Sequence, residues 1–144
     1  MNAAGRDRLL FALAILVGAG AWYGVALLDA RREAWDSPLF WSFALPAAYA
    51  ACLGLGFFGS RQAWRWPALV LGSLFASAVV SAGRSLNLWP LTLGLIGLMA
   101  AVGLLPTYVG VGLRRLFDAR RARRVAADTR LRDFVSETPP PPPA

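Results

Sequence analysis

The 144-residue chain has no lysine and no histidine, and its one cysteine, Cys52, has no second thiol to pair with. No intrachain disulfide can form. A single thiol without imidazole cannot assemble the ligand sets of zinc, copper, haem or iron–sulfur centres. Acid–base catalysis by histidine is excluded, as are Schiff-base and P-loop chemistry by lysine. Charged residues are scarce as well, at 16% of the chain, against about a quarter in an ordinary soluble domain. These gaps leave no catalytic constellation, and the expectation is a nonenzymatic protein without metal or cofactor.

What is present is apolar surface in long runs. Hydrophobic residues make up 57% of the chain and the mean hydropathy is +0.50. The runs show neither the alternation of a half-buried strand nor the single stripe of a water-facing helix. This composition is that of an integral membrane protein.

Arg6 and Arg8 precede Leu9 to Leu28, an uncharged stretch long enough as a helix to cover about 30 Å, the hydrocarbon thickness. A basic start, an apolar stretch and Ala19-Gly20-Ala21 also fit a cleavable signal, but apolar character continues beyond that site to Leu28. The stretch is therefore read as a retained span. A mixed-charge loop follows from Asp29, and Ser37-Pro38 is a helix-start signature, with a capping hydroxyl and a proline whose missing amide costs nothing at the first turn. A second span is predicted over 39–58, bent at Pro46.

The run from Trp66 to Leu113 contains one ionisable group, Arg84. As one helix it would measure about 72 Å, more than twice the hydrocarbon core, so it must fold back. Gly83 to Asn87 is the place where a helix can end on glycine and restart on an asparagine cap. This predicts spans over 67–82 and 88–113, with Pro106 inside the last. Arginine parity supports the count: four spans put twelve arginines on the side of the termini and three, Arg31, Arg32 and Arg84, on the other, which the positive-inside rule reads as cytoplasmic termini. Trp35, Trp41, Trp64, Trp66 and Trp89 fall at the predicted interfaces, as amphipathic rings prefer; Trp22 lies within the first span and is read as a packing residue.

The predicted fold is thus an all-α integral membrane protein: four transmembrane helices in an up-down bundle over 1–113, a basic cytoplasmic helical extension over 114–137, and a proline-rich tail over 138–144. The missing lysine is read as compositional bias. The expected setting is a bacterial inner membrane with both termini in the cytoplasm.

Two groups of residues are candidates for contact with other molecules. Ser73, Ser77, Ser81 and Ser85 recur every fourth residue on the third span and lead to Arg84 and Asn87. Packing is the default for such small residues, and the sharper reading is a polar groove for a neutral or anionic solute or a lipid headgroup, with Tyr49 opposite. In the extension, Arg114, Arg115, Arg120, Arg121, Arg123 and Arg124 are read first as a contact for anionic lipid headgroups and second as one for a partner protein. Nucleic acid is not expected, since no aromatic interleaving accompanies the charge. Gly20 with Gly24, and Ala47 with Ala51, suggest contact faces for a membrane-protein partner or self-association. The functional expectation is a small accessory, assembly or scaffold component of a membrane complex. The alternative is a small oligomeric channel or transporter, and a lipid-directed enzyme built on the outer polar groups comes third.

Overall fold

The structure is a computed structural model that describes residues 3–29, 34–59, 62–82 and 89–137, with side chains described over 5–29, 34–59, 62–81 and 93–130. Among these residues all regular structure is helical: α1 (Ala3–Asp29), a 3₁₀ turn (Ala34–Asp36), a π-helical turn (Phe40–Ala44), α2 (Leu45–Phe58), α3 (Arg65–Ala82) and α4 (Trp89–Glu137). Three stretches, Gly5–Asp29, Phe40–Phe58 and Leu93–Arg130, are long and apolar enough to cross a membrane, and α3 supplies a shorter apolar helix over Arg65–Ser81. The predicted hairpin at Gly83 to Asn87 lies outside the described residues. The helices on either side of it end at Ala82 and begin at Trp89.

Each helix has an inward row at helical spacing. On α1 it is Leu10, Ala14, Gly18, Trp22 and Val25, all buried, whereas Leu9, Leu16 and Leu27 on the other side are 58%, 67% and 83% exposed. An outer surface of bare leucine is what a lipid solvent tolerates and water does not. On α4 the inward row is Ile96, Met99, Gly103, Thr107 and Gly110.

The start of α2 shows how the sequence solves a proline problem. Ser37 Oγ accepts a hydrogen bond from the Leu39 amide at 3.1 Å, the cap that Ser37-Pro38 predicts. Pro46 has no amide to offer the carbonyl four residues back. The preceding turn, Phe40–Ala44, is π-helical, and the Leu45 amide bonds to the Phe40 carbonyl. The extra residue in that turn shifts the ladder where proline interrupts it.

The helices pack most closely as two pairs, α1 with α3 and α2 with α4. Along the first pair Phe11 meets Trp66 edge to face at 5.5 Å, Gly18 lies against Val70 and Ser73, and the Trp22 indole donates to Ser81 Oγ at 3.0 Å. Along the second, the Tyr49 hydroxyl donates to the Met99 carbonyl at 3.2 Å, Gly56 lies against Thr107, Gly110 against Leu53, and Arg114 reaches Gly59. Apart from a local exchange at Leu53–Gly110 and Gly56–Thr107, the residue numbers rise together in both series, so each pair runs in one direction. A Cβ on Gly18, Gly56 or Gly110 would overlap backbone of the facing helix. Glycine is the residue that permits this approach, and close approach is what holds helices together where lipid removes the hydrophobic drive between them.

Trp66 faces inward. It is 1% exposed and its ring lies against Gly59 and Phe11, because the absent side chain at Gly59 leaves space only an inward ring fills. Trp41 and Trp64, by contrast, are exposed.

Candidate functional site

The serine stripe of α3 lies at the α1 contact. Ser73 Oγ donates to the Val70 carbonyl at 2.9 Å, Ser77 Oγ to Ser73 at 2.9 Å and Ser81 Oγ to Ser77 at 2.9 Å. These bonds back onto the helix itself satisfy each hydroxyl proton locally. Ser77 is 7% exposed, Ser73 faces Gly18, and Ser81 accepts from Trp22. Tyr49, expected opposite the stripe, bonds α4 instead. Arg84, Ser85 and Asn87, the remaining members of the proposed groove, lie outside the described residues.

The two small-residue pairs, Gly20 with Gly24 and Ala47 with Ala51, come together. They line one apolar groove of about 430 Å³ between α1 and α2, bounded by Leu16, Leu28, Leu39 and Phe43. Both pairs were legible as contact faces; their joining in a single groove was not.

The basic candidates sit on α4 at and beyond the end of its contact with α2. Arg114 is half-buried; its Nη1 donates to the Gly59 carbonyl at 2.8 Å and its Nε lies 3.8 Å from Asp118 Oδ2. Phe117 meets Phe57 edge to face with centroids 5.9 Å apart. Every residue from Arg115 to Arg130 is exposed, so Arg115, Arg120, Arg121, Arg123 and Arg124 are presented to the surroundings on a continuous helix. α4 runs through Leu113 into the basic segment as one helix, with Pro106 inside it.

Sequence reasoning missed two residues that organise the structure, Gly59 and Thr107. Gly59 ends α2, donates its amide to the Leu55 carbonyl at 2.7 Å and accepts Arg114. Thr107 is buried, bonds the Gly103 carbonyl at 2.8 Å and faces Gly56. A threonine directly after Pro106 inside an apolar run was the available signal. Among the described residues no group of three or more His, Cys, Asp or Glu could hold a metal ion.

No family model, no curated protein and no solved structure matches this chain. The functional reading therefore rests on the physical chemistry of its own residues.

Proposed function

We propose that this chain is a noncatalytic accessory or assembly component of a membrane complex, spanning a bacterial inner membrane four times as an up-down bundle with both termini in the cytoplasm. The observation that carries the reading is the continuity of α4. One helix packs closely against α2 over its apolar half and then extends, exposed on all sides, through an arginine-rich half. The first half is an anchor and the second an arm. The same-direction pairing of α1 with α3 and of α2 with α4 supports an alternating path, since spans of odd and even number then share directions. Arginine parity supports the cytoplasmic placement of the termini. At about 27 Å, α3 is slightly shorter than the hydrocarbon core, a mismatch that local thinning absorbs at modest cost.

Two experiments test this reading. Single cysteines at Asp36 and at Gln62, both exposed positions, are introduced with Cys52→Ser and treated with a membrane-impermeant thiol reagent on intact cells. Reaction at Asp36 alone is expected, and reaction at Gln62 overturns the orientation. For function, the full chain and a form ending at Leu116 are purified from crosslinked membranes. Co-purification of a defined larger membrane complex with the full chain only is expected. Recovery of the full chain alone, together with solute flux in proteoliposomes, would replace the accessory role by that of a channel or transporter.

A further inference from the structure

The exposed half of α4 has a more specific use, which rests on the reading just given. We propose that Arg115–Arg130 is a docking arm for an acidic protein surface held away from the membrane, and that the leaflet is not its ligand.

Axial position is the first argument. The bond from Arg114 to the end of α2 and the contact of Phe117 with Phe57 mark where α4 leaves its packed partner. At the helical rise, Arg120, Arg124 and Arg130 lie about 9, 15 and 24 Å farther along the axis. The attraction of an anionic leaflet decays within a Debye length, about 8 Å at physiological salt. With the end of α2 taken as the level of the leaflet surface, Arg114 and Arg115 lie within that range, Arg120 and Arg121 at its edge, and Arg124 and Arg130 beyond it.

Distribution around the helix is the second argument. A helix that lies on a membrane divides into an apolar and a cationic face. At about 100° per residue, Arg115, Arg121 and Arg123 point to three different sides, and so do the exposed Leu116, Phe117 and Val125. Among the described residues 115–130 no apolar face is formed that could enter the headgroup layer. A partner that embraces a helix suits this arrangement better than a flat surface.

Charge selects the chemistry of that partner. Six arginines and two aspartates occupy 115–130. Arg120 with Arg123 and Arg124, and Arg121 with Arg124, stand three or four residues apart and repel one another. A second copy of the same arm would add to that repulsion. Carboxylates would remove it, because a guanidinium fork matches a carboxylate through two parallel hydrogen bonds. Phosphates offer a similar fork, but beyond Phe117 the described arm contains no aromatic ring for a base to stack on.

The test uses the full chain in lipid nanodiscs. A fluorophore is attached at Ala126→Cys in a Cys52→Ser background, with nitroxide-labelled headgroups as quencher. Fluorescence that stays unquenched, whether the lipid is neutral or rich in phosphatidylglycerol, is expected; quenching that grows with phosphatidylglycerol means the arm lies on the leaflet and overturns the proposal. Binding is then measured with a glutamate-rich helical peptide and with single-stranded DNA of equal charge. Saturable peptide binding is expected, weakened at least about tenfold when Arg120, Arg121, Arg123 and Arg124 are all changed to Gln. Equal peptide binding by that variant, or tighter binding of the DNA than of the peptide, overturns it. Cysteines at Asp36 and Gln62 that label from the same side sink the topology and this inference together, whereas labelling from opposite sides without peptide binding sinks the inference alone.

Discussion

Arg114 Nη1 donates to the Gly59 carbonyl at 2.8 Å, joining the arginine that precedes the arm to the end of α2. A cation at a helix C-terminus satisfies a carbonyl without an intrahelical partner and opposes the negative end of the helix dipole. Arg114→Gln should lower stability by about 1 kcal/mol, a hydrogen bond to a charged group discounted for partial exposure. Asp118→Asn should do little, since its contact with Arg114 is 3.8 Å long and exposed. Thermal unfolding in detergent compares the two, and equal losses would mean that Arg114 acts through Asp118.

Trp22 and Ser81 form a second bridge, between α1 and α3. The Trp22 indole donates to Ser81 Oγ at 3.0 Å, while its ring meets Trp35 at 5.0 Å. Ser81→Ala should cost about 0.6 kcal/mol, the usual worth of a hydrogen bond between spans, and Trp22→Phe more, because it also removes part of a buried ring. Their combination should cost less than the sum, because either change alone removes the bond. Full additivity in a double-mutant cycle would show that the two side chains are uncoupled.

Glycines separate into those that face backbone and those that face open space. Gly56→Val places a side chain against the Thr107 backbone, which cannot retreat as a flexible side chain would. A loss of about 3 kcal/mol is expected, the upper part of the overpacking range. Gly20→Ala, where nothing lies within 4 Å of the added carbon, should leave the unfolding midpoint unchanged or raise it slightly through helix propensity. A large loss at Gly20 would mean that the α1–α2 groove closes on a partner in the preparation measured.

Cys52 reports on the α2–α4 contact. It is fully buried, so maleimide should label it slowly in the folded protein and quickly after denaturation. Gly56→Val should accelerate labelling by prising α4 from α2, while Gly20→Ala should not. Rapid labelling of the unmodified protein would contradict the burial.

The reading of the helices from sequence rests on particular residues. Ser37 and Pro38 are a local signal, since a cap and its amide stand two positions apart, and the structure makes that bond. The apolar stretches from Leu9, Leu39, Pro67 and Leu88 follow from hydropathy and length, and helices lie where they predict. The candidate site was less legible. The spacing of Ser73, Ser77 and Ser81 established that they share a stripe, but the helix they face was a matter of packing: Gly18 lets α1 approach, and Trp22 takes the Ser81 oxygen.

Sequence alone determined the class of this protein, because lipid compatibility is a sum over residues and needs no knowledge of who touches whom. It likewise located the charge, since Arg114 to Arg130 are neighbours along the chain. Only the tertiary structure decided that α1 pairs with α3 and α2 with α4, that Trp66 turns inward over Gly59, and that two small-residue motifs share one groove. Those outcomes depend on shape complementarity between residues dozens of positions apart, and many pairings of apolar helices satisfy the same hydropathy. Glycines at Gly18, Gly56 and Gly110 select among them by admitting close approach only where a facing backbone fits.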